Sequence, residues 1–267
     1  MLQPQRGHHR LTSDRTVSSV PGRPKLALEN LVLSIKPGEK VAICGRTGSG
    51  KSSLVALLLK LLDPVPGLSD VVLIDGIPLT QIEREILRQR IIAVPQEAVF
   101  LPDGTSFQLN LDPTSTSSVG ECEAVLTNVG LLDFVQQRGG LLGAMNASVL
   151  SAGQRQLLSL GRAVLRRRIR SAQLEMAGRT GSEGGILLLD EFSSSVDHET
   201  ERTMLDIIKA EFASYTIVAV SHRLDMVMDF DRVVIIDTGS IVEIGRPGVL
   251  AREASSRFGE LVSASAK

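Results

Sequence analysis

The 267-residue chain has no tryptophan and one tyrosine, and no Phe, Tyr or Trp precedes Phe100. Cysteine is scarce as well: Cys44 and Cys122 lie far apart and outside any C-x-x-C pattern. A disulfide framework and a cysteine zinc site are thereby excluded, and a reducing, intracellular setting fits best. No window approaches the roughly 18 consecutive apolar residues of a membrane-spanning helix. Even the run Leu54 to Leu62 is short and contains Lys60. A dominant charge is missing too, since 29 Lys and Arg against 30 Asp and Glu give a formal net charge of -1. Without a basic field to attract a polyanion, nucleic acid is not an expected partner. What remains, 43% hydrophobic and 22% charged residues, suits a globular protein with one large core or two modest ones.

The first 25 residues carry Arg6, Arg10, Arg15, Arg23 and Lys25 against Asp14, with Pro4, Pro21 and Pro24 and little apolar content. They hold no secretory signal core. An Arg- and Ser-containing stretch is compatible with an organelle address, but the composition is that of a disordered leader over 1–25. The pattern changes at Leu26. "LALENLVLSI" alternates as strands do, "KPGEK" is a turn, and Val41 to Cys44 is a short buried strand in which Cys44 is a small core residue.

After that strand comes Gly45-Arg46-Thr47-Gly48-Ser49-Gly50-Lys51-Ser52-Ser53, and then a helical pattern from Ser52 to about Leu62. In a G-x-x-x-x-G-K-[ST] loop the glycines let successive backbone N–H groups point inward around phosphates. The lysine, here Lys51, reaches the terminal phosphates, and the Ser52 hydroxyl can ligate Mg²⁺. Far downstream, Ile186 to Leu189 fit a central parallel strand covered on both faces, with Asp190 and Glu191 at its carboxyl end. Beside a phosphate loop, Asp190 can hold Mg²⁺ through its water shell and Glu191 can polarise an attacking water. A further strand, "TIVAV", ends at Ser221 and His222, and the His can donate a hydrogen bond to a γ-phosphate. In "LSAGQRQ", Ser151 reads as an N-cap and Leu157, Leu160, Val164 and Leu165 as the apolar face of the helix that follows, whose amino terminus is an anion site.

Two more stretches complete the pass. "GECEAVLTNVGLLDFVQQRGG" is predicted helical, and the arginine run after Leu165 is predicted to be a solvated helix end leading into an insertion. "RVVIIDTGSIVEIG" predicts a hairpin with Thr238 and Gly239 near its turn.

In chain order these pieces resemble the ATP-binding cassette (ABC) ATPases over roughly Leu26 to Leu250. The matching motifs are the Walker A loop Gly45 to Ser53, the Q-loop Gln96 in "AVPQEAVF", the signature "LSAGQ" from Leu150, Walker B with Asp190, the catalytic Glu191, the D-loop ending at Asp197, and the H-loop His222. The wording "KVAICGRTGSGKSS" and "VSHRLDMVMDFDRVVIID" is similar to the second cassette of a fungal multidrug-resistance-associated (C) subfamily exporter. The resemblance implies an α/β fold: a P-loop NTPase (RecA-like) core with an antiparallel β subdomain and an inserted α-helical subdomain at about 100–170. The domain would span 26–255, followed by a C-terminal tail at 256–267.

It also implies ATP and Mg²⁺ as ligands, hydrolysis of the γ-phosphate, and export of small molecules. Lys51 and the loop amides would hold phosphates, Ser52 and Gln96 would ligate the metal, Asp190 would order its waters, Glu191 would orient the nucleophilic water, and His222 would contact the γ-phosphate. Ser151, Gly153 and Gln154 would serve ATP bound to a second cassette in a head-to-tail dimer. Ala152 replaces the second glycine of the family signature. Transmembrane domains of a transporter are the other implied partner, docking near Phe100 and Leu101, with the cassette membrane-associated on the cytoplasmic face. A soluble ABC ATPase uncoupled from transport, or a non-catalytic transporter fragment, are the alternatives. The family holds adenine against an aromatic ring that would fall near Ser18 to Arg23, where none occurs. Weak ATP binding with little preference over GTP is predicted, as is a lead-in before about Leu26 that is not the family's own.

Overall fold

The computed structural model describes residues 9–12, 27–29, 31–64, 72–178, 184–253 and 255–265. In chain order its elements are β1 (His9–Thr12), β2 (Val32–Ile35), β3 (Lys40–Cys44), α1 (Lys51–Leu58), β4 (Leu73–Ile74), β5 (Ile77–Pro78), α2 (Arg84–Arg90), β6 (Ile91–Val94), α3 (Phe107–Leu111), α4 (Val119–Asn128), α5 (Leu132–Gln136), α6 (Ala152–Met176), β7 (Ile186–Asp190), α7 (His198–Glu211), β8 (Thr216–Val220), α8 (Leu224–Val227), β9 (Arg232–Asp237), β10 (Ser240–Gly245), α9 (Pro247–Leu250) and α10 (Arg257–Ser265). They form two compact units.

The first unit comprises residues 1–91, 184–190 and 215–267. Its main strands lie in the order β10-β9-β3-β8-β7, with β9, β3, β8 and β7 parallel and β10 antiparallel to β9. Runs such as Ile186 to Leu189 and Thr216 to Val220 are buried along their whole length, the pattern of parallel strands covered on both faces. The register puts Ile43 beside Val220 and Val220 beside Asp190, so β3, β8 and β7 end at one edge. Helix α1 buries Leu54, Val55 and Leu58 and then stops, four residues before the Leu62 predicted from sequence. Lys60 turns left-handed at φ 53 and the Leu61 N–H closes on the Ala56 carbonyl at 2.8 Å, ahead of the helix-incompatible Pro64.

The β9–β10 hairpin turns at Thr238 and Gly239 with φ of 47 and 84, the two positive values of a type I′ turn. Two small antiparallel sheets, β1–β2 and β4–β5, belong to the same unit. Strand β1 pairs His9 with Ile35 and Thr12 with Val32. Four residues of the stretch read as a disordered leader are therefore strand, satisfying the exposed backbone edge of β2. Residues 1–8 and 13–26 lie outside the described residues.

The stretch read as a C-terminal tail is instead largely helix. Phe258 is fully buried against Val227, Val233, Ile235 and Leu250, with Leu261 and Val262 packed alongside. The α10 start is fastened by Glu243 of β10, whose carboxylate accepts from the N–H of Phe258 at 2.9 Å and the hydroxyl of Ser256 at 3.0 Å. The helical spacing of Phe258, Leu261 and Val262 is the physical reason that this segment packs.

The second unit comprises residues 92–183 and 191–214. Helices α3 to α6 run between Phe107 and Met176, and the unit also takes in α7. A capping box, Ser118 with Glu121, starts α4, which buries Cys122, Val125 and Leu126. A Cβ on Gly161 of α6 would lie 3.3 Å from Leu111 and 3.5 Å from Val125, so glycine lets α6 approach α3 and α4 closely. The arginine run is not simply solvated: Arg167 and Arg168 both pair with Glu211 of α7, the first at 2.7 Å.

Candidate nucleotide site

In the first unit the loop between β3 and α1 holds Gly45, Gly48 and Gly50 at φ of 153, 81 and 108. Side-chain-bearing residues rarely adopt these values, so the glycines permit the loop. Two of them are also required by close approach: a Cβ on Gly45 would lie 2.1 Å from the Ile236 carbonyl oxygen, and one on Gly50 would lie 2.6 Å from that of Ala27. Lys51, 5% exposed, folds back so that its ammonium donates to the carbonyls of Gly45 and Arg46 at 2.9 and 3.0 Å. Helix α1 begins at Gly50 without a side-chain cap, leaving its first N–H groups to an external acceptor. The Ser49 hydroxyl is buried without a hydrogen-bond partner. Thr47 and Ser52 are exposed at the loop surface. A cationic side chain, an uncapped helix start and an orphaned hydroxyl around a glycine loop fit a polyphosphate.

Because β3, β8 and β7 end in register, the loop, Ser221 with His222, and Asp190 all leave the carboxyl edge of neighbouring parallel strands. This is where α/β sheets bind ligands. Ser221 holds the turn, its hydroxyl accepting from the Arg223 N–H at 2.9 Å, and His222 is exposed. Burial pushes the Cys44 thiol up to about 12, against the lowering effect of Lys51, so it is an inert core residue as the sequence suggests.

In the second unit Glu191 has φ 45, an uncommon value for a residue with a side chain, and its carbonyl accepts from the Ser194 N–H at 3.0 Å. The Ser193 hydroxyl donates to the buried Glu201 carboxylate at 2.8 Å. Asp197 caps α7 by accepting from the Thr200 N–H and hydroxyl at 2.9 and 2.8 Å, and these bonds hold its carboxyl below the usual range. At the start of α6, Ser151 accepts from the Gln154 N–H at 3.1 Å while the Gln154 side chain accepts from the Ser151 N–H at 2.9 Å. This reciprocal capping box accounts for Gln154, which a simple N-cap leaves unexplained. Gly153 faces Thr200, whose side-chain atoms would stand 3.2 Å from an added Cβ. Gln96 is exposed, and its carbonyl accepts from the Gln156 side-chain amide at 2.5 Å.

The Ser151-x-x-Gln154 box is readable as a pattern. The roles of Gln156, Glu201, Thr200 and Gly239 are not, because each is defined by a contact with a distant residue. The region from Ser18 to Arg23 lies outside the described residues.

An α/β sheet with a phosphate-binding loop at its carboxyl edge defines a P-loop ATP-binding domain. The family model described as "ABC transporter" matches residues 28–169, and the chain belongs to that family. It is 60% identical over 256 residues to "ABC-type transporter braE" of Annulohypoxylon truncatum, a match covering 95% of this chain and 17% of that protein. It is 54% identical to "ABC transporter FGM5" of Gibberella zeae, covering 89% of this chain and 16% of the relative. The chain thus spans about a sixth of these fungal relatives' length. A match over 95% of the chain takes in part of the first 25 residues, which composition alone sets apart. The fold is that of a bacterial Atm1-family ABC exporter with ATP bound, with TM-score 0.80, 24% identity, and coverage of 100% of this chain and 43% of the exporter chain. Among the described residues no helix is long and apolar enough to cross a membrane.

Proposed function

We propose that this chain is the second, hydrolysis-competent nucleotide-binding cassette of a fungal exporter of the multidrug-resistance-associated (C) subfamily. It works with a second cassette in a head-to-tail dimer and with transmembrane domains that carry the exported small molecule, on the cytoplasmic face of a membrane. The observation that carries the reading is the glycine loop with buried Lys51 at the carboxyl edge of the sheet. The ATPase domain is assigned to the stretch from β1 to α10, wider at both ends than the 26–255 expected from sequence, with the helical subdomain inserted in it.

The residues divide the work by position. Lys51, with the amides of Gly45 to Ser53, holds the β- and γ-phosphates. Ser52, Gln96 and Asp190 are the oxygen donors that suit Mg²⁺, a hard cation usually shared with substrate phosphates, and the metal supplies neutralisation of phosphate charge. Glu191 takes up the proton of the attacking water and orients it in line with the bond to the leaving ADP, and His222 donates a hydrogen bond to the γ-phosphate. Ser151, Gly153 and Gln154 contact the γ-phosphate of the partner cassette's nucleotide. Catalysis rests on positioning and charge stabilisation.

Two variants of the purified chain test this. Glu191→Gln is expected to keep ATP affinity, to lower kcat about a hundredfold or more, and to accumulate ATP-dependent dimers in light scattering. Lys51→Ala is expected to weaken nucleotide binding itself. A Glu191→Gln protein that turns over ATP as fast as its parent removes the assigned base.

A further inference from the structure

The residues from Gln96 to Leu101 follow β6 and belong to no helix or strand. They are nonetheless held at four points. The buried side chain of Gln156, 3% exposed, donates its amide N–H to the Gln96 carbonyl at 2.5 Å. Six residues further along α6, the Arg162 guanidinium donates to the carbonyls of Val99 and Asn110 and stands 4.9 Å from the centroid of the Phe100 ring. Asn110, fully buried, accepts from the Leu101 N–H at 2.9 Å through its side-chain oxygen and anchors itself by donating to the Ser106 carbonyl at 3.1 Å. A planar guanidinium that forks between two carbonyls and stacks on a ring fixes both distance and orientation, which a lysine at the same place does not.

We propose that Gln156 and Arg162 are positioning residues that clamp the Gln96–Leu101 segment onto α6, so that the helix beginning at Ser151 and the backbone bearing Gln96 move as one body. The inference deepens the proposed function and rests on it for its catalytic consequence. Gln96, as a metal donor, must sit within a fraction of an ångström of its working position, and its backbone carbonyl is held by Gln156. The two ends of the clamp also join motifs some 60 residues apart in sequence, so a shift at the signature end of α6 is passed to Gln96 without an intermediate flexible joint. Held from behind by Arg162 and Asn110, the segment turns Val99 and Leu101 outward, 71% and 37% exposed, on a firm base.

Two measurements on the purified chain test the clamp. Hydrogen exchange of the nucleotide-free protein reads the segment directly: in Gln156→Leu and in Arg162→Lys, the amides of residues 97–101 are expected to exchange about tenfold faster or more, while those of β3 and β8 keep parental rates and report that the fold is intact. Steady-state kinetics then separates positioning from binding. Both variants are expected to lose at least tenfold in kcat with the ATP dissociation constant within about twofold of parent. The double variant is expected to fall little further than either single one, because the two residues act on the same segment. Unchanged exchange at 97–101 in both variants overturns the clamp. Faster exchange with unchanged kcat overturns its catalytic role. A parent chain that binds no ATP defeats the proposed function and leaves the exchange result standing on its own.

Discussion

Gly239 donates its backbone N–H to the carbonyl of Ser49 at 2.9 Å, bolting the turn of the β9–β10 hairpin to the phosphate loop. The same turn accepts from the Glu29 N–H at 2.9 Å, so residues 27–29 are held against it as well. A strand pair more than 180 residues downstream of the loop therefore sets the loop's position.

The glycines of this region are expected to rank by what surrounds them. Gly48, at φ 81 with nothing within 4 Å of an added Cβ, loses only backbone preference on Gly48→Ala, about 1–2 kcal/mol. At about 2–4 °C per kcal/mol, that lowers the unfolding midpoint by several degrees. Gly239→Ala adds an approach of 2.8 Å to the Ala27 carbonyl oxygen, and Gly45→Ala one of 2.1 Å to the Ile236 carbonyl oxygen in the core sheet. Thermal unfolding should place the losses in the order Gly45, Gly239, Gly48. An order led by Gly48 contradicts the packing described.

A second prediction concerns the base. With no Phe, Tyr or Trp before Phe100, the stretch Ser18 to Arg23 offers no such ring to stack on adenine. Base stacking on an aromatic is worth about 1–3 kcal/mol, so its loss weakens binding by about tenfold or more while the phosphate contacts remain. Titration of the purified chain is expected to give weak binding with ATP and GTP dissociation constants within about threefold of one another. Tight, adenine-selective binding would show that another side chain, with Val20 and Arg23 the candidates in sequence, does the work of the ring.

Much of this architecture is written locally. The phosphate loop lies between a strand and a helix that are its immediate neighbours, and the Thr238-Gly239 turn carries its own conformational signature, so both can be read from short windows. The apolar pattern overextends α1, because Leu59, Leu61 and Leu62 continue a periodicity that Pro64 overrides. The apolar spacing of Phe258, Leu261 and Val262 is present in the last residues, but nothing local says that Glu243 waits to cap that helix. Arg162 and Gln156 look like ordinary members of a polar helix face. Their partners, Asn110 and Gln96, lie 52 and 60 residues away, and only the fold brings them together.

The last prediction follows from Glu211, the shared partner of Arg167 and Arg168. Burial alone pushes its carboxyl up, but the hydrogen bonds and charges of Arg168 and then Arg167 outweigh burial and hold it below its ordinary value of 4.5. A carboxyl depressed in the folded state contributes stability that is fully present above the unfolded value and is lost as pH falls through the folded one. Glu211→Gln removes the charge, leaves two arginines without their counter-ion, and should cost about 1–3 kcal/mol at pH 7. Below about pH 4 the parent's own carboxyl is increasingly protonated in the unfolded chain, its advantage declines, and the two proteins should converge. Urea unfolding of parent and variant at pH 7 and at pH 3.5 measures the difference. A gap that stays constant between the two pH values would mean that the ion pair joining α6 to α7 adds nothing beyond the shape of the side chain.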